Sequence, residues 1–299
     1  MSATFDRRTA IKGILAGTVT LGIPSGLSAF VTPNEELKLK LESNMLKGKI
    51  NHSVARWCFG DFDIETLCME AKKIGITGID LVGPKDWPIL KKYNLVSTMC
   101  NGAELNLVDG FNDPKFHEQL IKNYTEMIPL VAEAGYKNLI CFSGNRRGKT
   151  DEEGWNNCVI GLQKLIPLAE KHKVILVMEL LNSKVSHKDY QCNKTAWGVE
   201  LVKRINSENF KLLYDIYHMQ IDEGDVISTI QENHNHIVHY HTGGVPGRAE
   251  IDETQELNYS AIMKAIAGTG FKGFVGQEFI PKQKDKMASL KKAIEICDI

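Results

Sequence analysis

The sequence lacks several patterns that would define a function at once. Its seven cysteines include no C-x-x-C pair, so neither a zinc ribbon nor a disulfide framework is indicated. No G-x-G-x-x-G or G-x-x-x-x-G-K-[ST] motif follows a candidate strand, so nucleotide binding through such loops has no support. The formal net charge of -1 also lacks the basic excess of a nucleic-acid-binding protein, and no nucleic-acid partner is expected.

The N-terminal 45 residues differ from the rest of the chain. Arg7 and Arg8 precede Lys12 and a mildly apolar run that contains glycine and threonine. This order resembles a bacterial twin-arginine export signal, and a short amphipathic or disordered arm is the alternative. The run is too short and interrupted to predict a stable membrane span. We expect a periplasmic protein, or a cytoplasmic one if this is no signal, with residues 1–45 outside the catalytic domain of residues 46–299.

From Lys49 onward, short apolar runs alternate with helical patterns. The candidate strands are "INHSVARWCF", "GIDLV", "LVSTMC", "NLICFSG", "KVILVMEL", "FKLLYDI", "HIVHYHT" and "GFVGQEF". Segments between them, such as "EEGWNNCVIGLQKLIPLAEKH", repeat apolar residues at helical spacing, and several end in glycine, as at Gly75, Gly135 and Gly270. Strands that alternate with helices predict an α/β fold, a single (β/α)8 TIM barrel rather than a doubly wound open sheet.

Side chains that bind metals stand at the ends of the last four candidate strands. In such barrels the site lies at the C-terminal ends of the strands, where this sequence has Glu179, Asp215, His241 and Glu278. Taken alone, Asp215 suits a helix N-cap and His241 a core histidine, with His239 as a rival. Together, three carboxylates in one mouth would repel one another unless a cation held them. This set of four residues indicates a site for one divalent ion. Mn, Mg, Co, Fe and Zn all suit its three carboxylates and one imidazole.

Other residues are candidates for substrate binding. His218 follows Asp215 in a predicted loop and could bind a substrate oxygen or orient an acid, although a simple loop histidine is the alternative. Arg248 lies in the glycine-rich stretch "TGGVPGRAEID", where its planar fork of donors suits a carboxylate or a hydroxyl-rich substrate. His52 near strand one and Glu104 in a lid-like loop after strand three are expected to line or cover the pocket.

Four stretches together resemble hydroxypyruvate isomerase and the wider xylose isomerase-like barrel family, which includes ketose 3-epimerases. They are "VMELLNSKVSHKDYQ", "LLYDIYHMQIDEGD", "HYHTGGVPGRAEIDETQELNY" and "GFVGQEFIP". The resemblance implies that His218 and Arg248 bind substrate and that a metal is held by the set Glu179, Asp215, His241 and Glu278. It also implies proton transfer through a cis-enediolate, with Glu179 and Glu278 as base and acid in an order left open. At position 241, hydroxypyruvate isomerases tend to carry glutamine and the epimerases histidine.

The leading expectation is a metal-dependent isomerase that interconverts aldehyde and ketone forms of a small sugar or hydroxy-keto acid. The alternatives are a ketose 3-epimerase acting on free sugars and a non-catalytic carbohydrate-binding barrel. A phosphodiesterase of the endonuclease IV type is disfavoured, since it would need more histidine ligands and a basic face. The sequence is compatible with a homo-oligomer and does not define the oligomeric state.

Overall fold

The computed structural model describes residues 46–299, and the predicted export segment of residues 1–45 lies outside the described residues. Eight strands form one closed barrel in chain order, and every neighbouring pair is parallel. The strands are β1 (Asn51–Ala55), β2 (Gly78–Val82), β3 (Val96–Cys100), β4 (Asn138–Cys141), β5 (Ile175–Glu179), β6 (Phe210–Asp215), β7 (Ile237–Thr242) and β8 (Phe274–Gln277). The predicted single (β/α)8 barrel is confirmed.

Helices connect the strands around the barrel. The α-helices are α1 (Ile64–Ile74), α2 (Trp87–Lys92), α3 (His117–Glu133), α4 (Asp151–Leu162), α5 (Ile166–His172), α6 (Thr195–Ile205), α7 (Ile216–Asp222), α8 (Val226–Asn233), α9 (Tyr259–Gly268) and α10 (Lys286–Cys297). Short 3-10 helices span Arg56–Phe59, Pro114–Phe116 and His234–His236. Within residues 46–299, no helix has the length and apolarity needed to cross a membrane.

The ends of several helices follow from local chemistry. The three glycines predicted just past helix ends, Gly75, Gly135 and Gly270, have φ values of 95°, 83° and 80°, in the left-handed region that glycine adopts without steric cost. At the start of α4, the Thr150 side chain accepts from the Glu153 amide while the Glu153 carboxylate accepts from the Thr150 amide. This reciprocal capping box satisfies amides that the helix itself leaves unpaired.

Three boundaries differ from the sequence prediction. The first strand ends at Ala55, because the stretch Arg56–Phe59 turns into a 3-10 helix. The segment predicted as one long helix is divided into α4 and α5, and Pro167, which cannot donate an amide hydrogen bond, lies in the first turn of α5. His218 lies in α7 rather than in a loop, because the Asp215 side chain accepts from the His218 amide and caps that helix.

The strands that carry the site are anchored by apolar side chains. All six residues of β6 are buried, and Leu213, two residues before Asp215, is fully buried. Strands of a parallel barrel are covered by helices on the outside and pack against each other inside, so both faces exclude water. The position of Asp215 is therefore set by a strand that has little freedom to shift.

We expect Leu213→Ala to lower the free energy of unfolding by about 2–5 kcal/mol, because it removes buried methyl groups and leaves a cavity. Val96→Ala in β3 is the control, since Val96 is 40% exposed and its truncation should cost less than about 1 kcal/mol. Urea unfolding followed by circular dichroism measures both. Equal losses for the two variants would contradict this description of the core.

Candidate metal centre

The ends of four consecutive strands bring their ligand-type side chains to one point. Glu179 ends β5, Asp215 ends β6, His241 is the second-to-last residue of β7, and Glu278 directly follows β8. All four are buried, and one ligand atom from each lies within 4.8 Å of the others. The structure thus assembles the complete set that the sequence singled out. Its rival His239 is not part of this cluster.

The cluster faces a cavity of about 650 Å³ at the mouth of the barrel. Glu179 and Glu278 line this cavity, and so do both predicted substrate-binding residues of the later loops, His218 and Arg248. The remaining wall mixes polar and apolar side chains, including Trp57, Asn101, Glu104, Phe142, His187, Tyr217 and Ile280. A small polyhydroxylated molecule could therefore contact the acids and hydrogen-bond donors at the same time.

Arg248 supplies a positive charge inside the cluster. Its Nη2 donates to Asp215 Oδ2 at 2.6 Å and also contacts Glu278 Oε2, while its Nε donates to the Glu278 carbonyl at 2.8 Å. The guanidinium also lies 4.9 Å from the centre of the Tyr217 ring. With φ at 55°, Arg248 adopts a left-handed conformation that is uncommon outside glycine, and it directly follows Gly247. The loop after β7 is thus bent so that this side chain enters the acid cluster.

His218 is held on both sides of its ring. Nδ1 lies 2.6 Å from Asn182 Nδ2, and Nε2 lies 2.7 Å from Arg248 Nη1. Burial lowers the pKa of His218 well below its usual range, and the neighbouring Arg248 adds to this effect. The ring is therefore neutral at physiological pH. Asn182 was missed by sequence reasoning, although its place three residues after the end of β5, in the stretch "ELLN", was a usable signal.

The carboxylates of the cluster divide into two electrostatic classes. Burial raises the pKa of Glu179 to about 7. His241 lowers this pKa, and the nearby Glu278 and Asp215 charges raise it further. Burial likewise raises the pKa of Asp215 to about 6, despite Arg248. Burial would raise the pKa of Glu278 too, but Arg248 and His241 outweigh it and hold that pKa well below its usual range. Crowded acids without a divalent cation cannot all ionise freely.

His241 links the cluster to a second set of buried polar residues. Its Nδ1 lies 2.6 Å from Glu278 Oε2 and 3.4 Å from Glu179 Oε1. Its Nε2 lies 3.2 Å from Oδ2 of Asp80, a fully buried residue of β2. Burial would lower the pKa of His241, but Glu278 and the hydrogen bonds to Asp80, Glu179 and Glu278 raise it well above its usual range. Asp80 was also missed from the sequence, where an acid inside the apolar strand "GIDLV" was the only signal.

The donor set fits a divalent metal ion. Three carboxylates and one imidazole nitrogen are hard to borderline ligands that suit ions such as Mn²⁺, Mg²⁺ and Zn²⁺. Desolvation and mutual repulsion of these acids are the conditions that a bound cation relieves. The cluster of Glu179, Asp215, His241 and Glu278 could thus hold one ion.

The two other predicted substrate-binding residues, Glu104 and His52, lie in different parts of the barrel. Glu104 lies on the cavity wall, where its carboxylate accepts from the Gly102 amide at 2.8 Å. His52 does not line the cavity: it is buried near the start of β1, with Nε2 3.8 Å from Asp298 Oδ1 close to the C-terminus. The structure does not bring His52 to the predicted substrate site, because the N-terminal end of a barrel strand lies away from the mouth.

Comparisons with known proteins agree with this fold. Residues 69–297 match the family described as the xylose isomerase-like TIM barrel, and the chain belongs to that family. It is 26% identical over 238 residues to hydroxypyruvate isomerase from Escherichia coli K12, an alignment that covers 75% of this chain and 90% of that enzyme. It is 30% identical over 133 residues to D-psicose 3-epimerase from Ruminiclostridium cellulolyticum, covering 43% of this chain and 42% of the epimerase.

The fold is also similar to solved structures. A protein described as AP endonuclease, family 2, from Brucella melitensis superimposes with a TM-score of 0.71 at 24% identity, covering 81% of this chain and 97% of that one. D-psicose 3-epimerase from Clostridium cellulolyticum H10, solved with D-tagatose, has a TM-score of 0.66 at 17% identity, covering 84% of this chain and 100% of that one. At these identities the likeness concerns the barrel.

The raised pKa of Glu179 predicts a pH-dependent stability in protein stripped of metal with a chelator. The pKa rises from 4.5 to about 7 on folding, so the unfolded chain loses this proton first and stability falls as the pH increases between these values. Relative to wild type, Glu179→Gln should therefore gain several degrees in unfolding temperature at pH 8 compared with pH 5.

Glu118→Gln, on the exposed surface of α3, is the matched control and should show no such gain. Thermal unfolding followed by circular dichroism at both pH values measures the difference. A Glu179→Gln effect that is the same at pH 5 and pH 8 would show that Glu179 ionises normally in the folded chain.

Proposed function

We propose that the protein is a metal-dependent isomerase that acts on a small sugar or hydroxy-keto acid through an enediolate. The observation that carries this proposal is the buried cluster of three carboxylates and His241 at the mouth of the barrel, open to a cavity with donors on its wall. The similarity to hydroxypyruvate isomerase over most of both chains supports the same reaction class.

In this proposal Glu179, Asp215, His241 and Glu278 hold one divalent ion. When bound, the ion would neutralise the negative charge that develops on the substrate oxygens next to the carbon that loses its proton. Asp215 has a second task, because its Oδ1 accepts from the His218 amide at 3.0 Å and thereby fixes the start of α7. This contact fixes the position of His218, a proposed substrate-binding residue, relative to Asp215, a proposed metal ligand.

Glu179 and Glu278 are the proposed acid and base. They enter the cavity from the end of β5 and from directly after β8, and both carboxylates lie within 3.4 Å of His241 Nδ1. Burial raises the pKa of Glu179 to about 7 in the metal-free chain, and a bound cation would lower it, so the proposed role rests on the position of this carboxyl group at the cavity. Trp57 Nε1 donates to Glu278 Oε1 at 2.5 Å and orients that carboxylate.

His218 and Arg248 are proposed to bind substrate oxygens. Both line the cavity, and the guanidinium of Arg248 reaches the acids that would face the reacting carbons. Arg248 only donates, so Nε2 of the neutral His218 accepts from it here, and in the proposal this nitrogen would accept a hydrogen bond from a substrate hydroxyl. Glu104 also lines the cavity and is proposed as a further contact for the substrate.

A ketose 3-epimerase is the second candidate. It is favoured by the histidine at position 241 and by the alignment with D-psicose 3-epimerase over part of the chain. The two reactions differ only in where the proton returns. In an aldose–ketose isomerase it moves to the neighbouring carbon, and in a 3-epimerase it returns to the same carbon from the opposite face.

We expect Glu179→Gln and Glu278→Gln each to lower turnover at least 100-fold, the usual contribution of a positioned acid or base. Turnover is measured as deuterium incorporation from deuterated water into hydroxypyruvate and a panel of ketoses, with added Mn²⁺. Deuterium at the hydroxyl-bearing carbon next to the carbonyl group identifies the substrate. Which of the carbons carries the deuterium distinguishes the isomerase from the 3-epimerase.

Glu118→Gln serves again as control and should retain full activity. Binding of ketoses without any exchange in the wild-type protein would instead favour the non-catalytic carbohydrate-binding barrel. Turnover in both active-site variants at the wild-type rate would overturn the assigned roles of the two glutamates.

We also propose that the chain is exported by the twin-arginine route to the periplasm. The support is the order of Arg7, Arg8 and Lys12 before the mildly apolar run. Replacing both arginines, Arg7→Lys with Arg8→Lys, should abolish export when fractions of a bacterial host with this pathway are probed for the protein. Lys47→Arg is the control. Export of the double variant at the wild-type level would contradict the proposal.

A further inference from the structure

A polar layer lies buried beneath the proposed metal centre. Asp80, at the middle of β2, is fully buried, and a single carboxylate oxygen, Oδ2, receives three contacts. His239 Nε2 lies 2.9 Å away, Ser53 Oγ 3.0 Å and His241 Nε2 3.2 Å. A buried carboxylate is costly unless it is paired and hydrogen-bonded, and these contacts meet that requirement at Oδ2, while Oδ1 has no hydrogen-bond partner among the described residues.

The backbone of β8 is adapted to this layer. Gly276 pairs with His241 across β7 and β8. A Cβ atom at position 276 would lie 1.9 Å from Asp80 Oδ2 and 2.9 Å from His241 Cδ2. Any side chain there would push the acid and the imidazole apart, so the glycine allows the contact between Asp80 and His241. The arrangement therefore involves the backbone as well as the side chains.

The contact decides which nitrogen of His241 is available to a metal ion. A carboxylate accepts hydrogen bonds, so Nε2 of His241 carries the proton that faces Asp80. The other nitrogen, Nδ1, points at Glu179 and Glu278, the side on which the ion would sit. Where a carboxylate binds the second nitrogen of a ligating histidine, it fixes the tautomer and the ring orientation and increases the basicity of the ligating nitrogen.

We infer that Asp80 is a positioning residue for the metal centre, holding His241 so that its Nδ1 binds the ion. This inference rests on the proposed function, because it presumes a metal at the cluster. His239 and Ser53 share the task, because both contact the same Asp80 oxygen as His241 does.

The test is the affinity for Zn²⁺, measured by calorimetry with the full chain, and it needs no substrate. We expect Asp80→Asn to weaken binding by about 10–100-fold, the usual effect of losing such a partner. Asp86→Asn is the matched control: it lies on the same strand–helix unit, before α2, makes no side-chain cap, and should bind as wild type does.

A double-mutant cycle separates positioning from a general structural effect. If Asp80 acts through His241, Asp80→Asn should cause no further loss in a His241→Gln background. A loss of the same size in both backgrounds would overturn the inference. Wild-type affinity in Asp80→Asn would also overturn it, whereas absence of Zn²⁺ binding by the wild-type protein would instead overturn the proposed function.

Nitrogen-15 NMR of the histidine rings provides a test on the wild-type chain, which stays decisive if Asp80→Asn fails to fold. In the Zn²⁺-loaded protein, we expect His241 to carry its proton on Nε2 and to show a metal-shifted Nδ1. A proton on Nδ1, or metal binding through Nε2, would contradict the inference.

Discussion

The structure depends on how three carboxylates are kept together in a volume from which water is excluded. Glu179, Asp215 and Glu278 are all buried, and their mutual repulsion must be offset by positive charge. In the described chain this charge comes from Arg248 and from His241. The buried polar layer extends below, where Asp80 and His239 continue the alternation of acid and base into the barrel interior.

The barrel holds these charged side chains in place despite their mutual repulsion. Each acid or imidazole stands at or near the end of its own strand. The strands are fixed by an apolar core and by hydrogen bonds between parallel neighbours around the closed barrel. A residue on such a strand cannot move away to relieve repulsion. The same rigidity suits a metal centre, where ligand positions must be set before the ion arrives.

Much of this could be predicted from the sequence, because the signals were local. The apolar runs and their spacing indicated the barrel, and an acid or histidine at each late strand end indicated the cluster. The role of Asp80 could not be predicted in the same way, since its partner His239 comes from β7, and only barrel closure brings that strand near β2. His52 lies away from the cavity because it stands near the N-terminal end of β1, a consequence of strand direction that the sequence reasoning did not consider.

The account rests on one divalent ion held by the four strand-end residues. The most direct measurement is a crystal structure of protein soaked with Mn²⁺, with anomalous scattering recorded at the manganese edge. The account predicts a single peak within coordination distance, about 2.0–2.4 Å, of Glu179, Asp215, His241 Nδ1 and Glu278, with Arg248 displaced from the acids. A structure with no peak at this cluster, or with Arg248 still bound to Asp215 and the ion elsewhere, would contradict it.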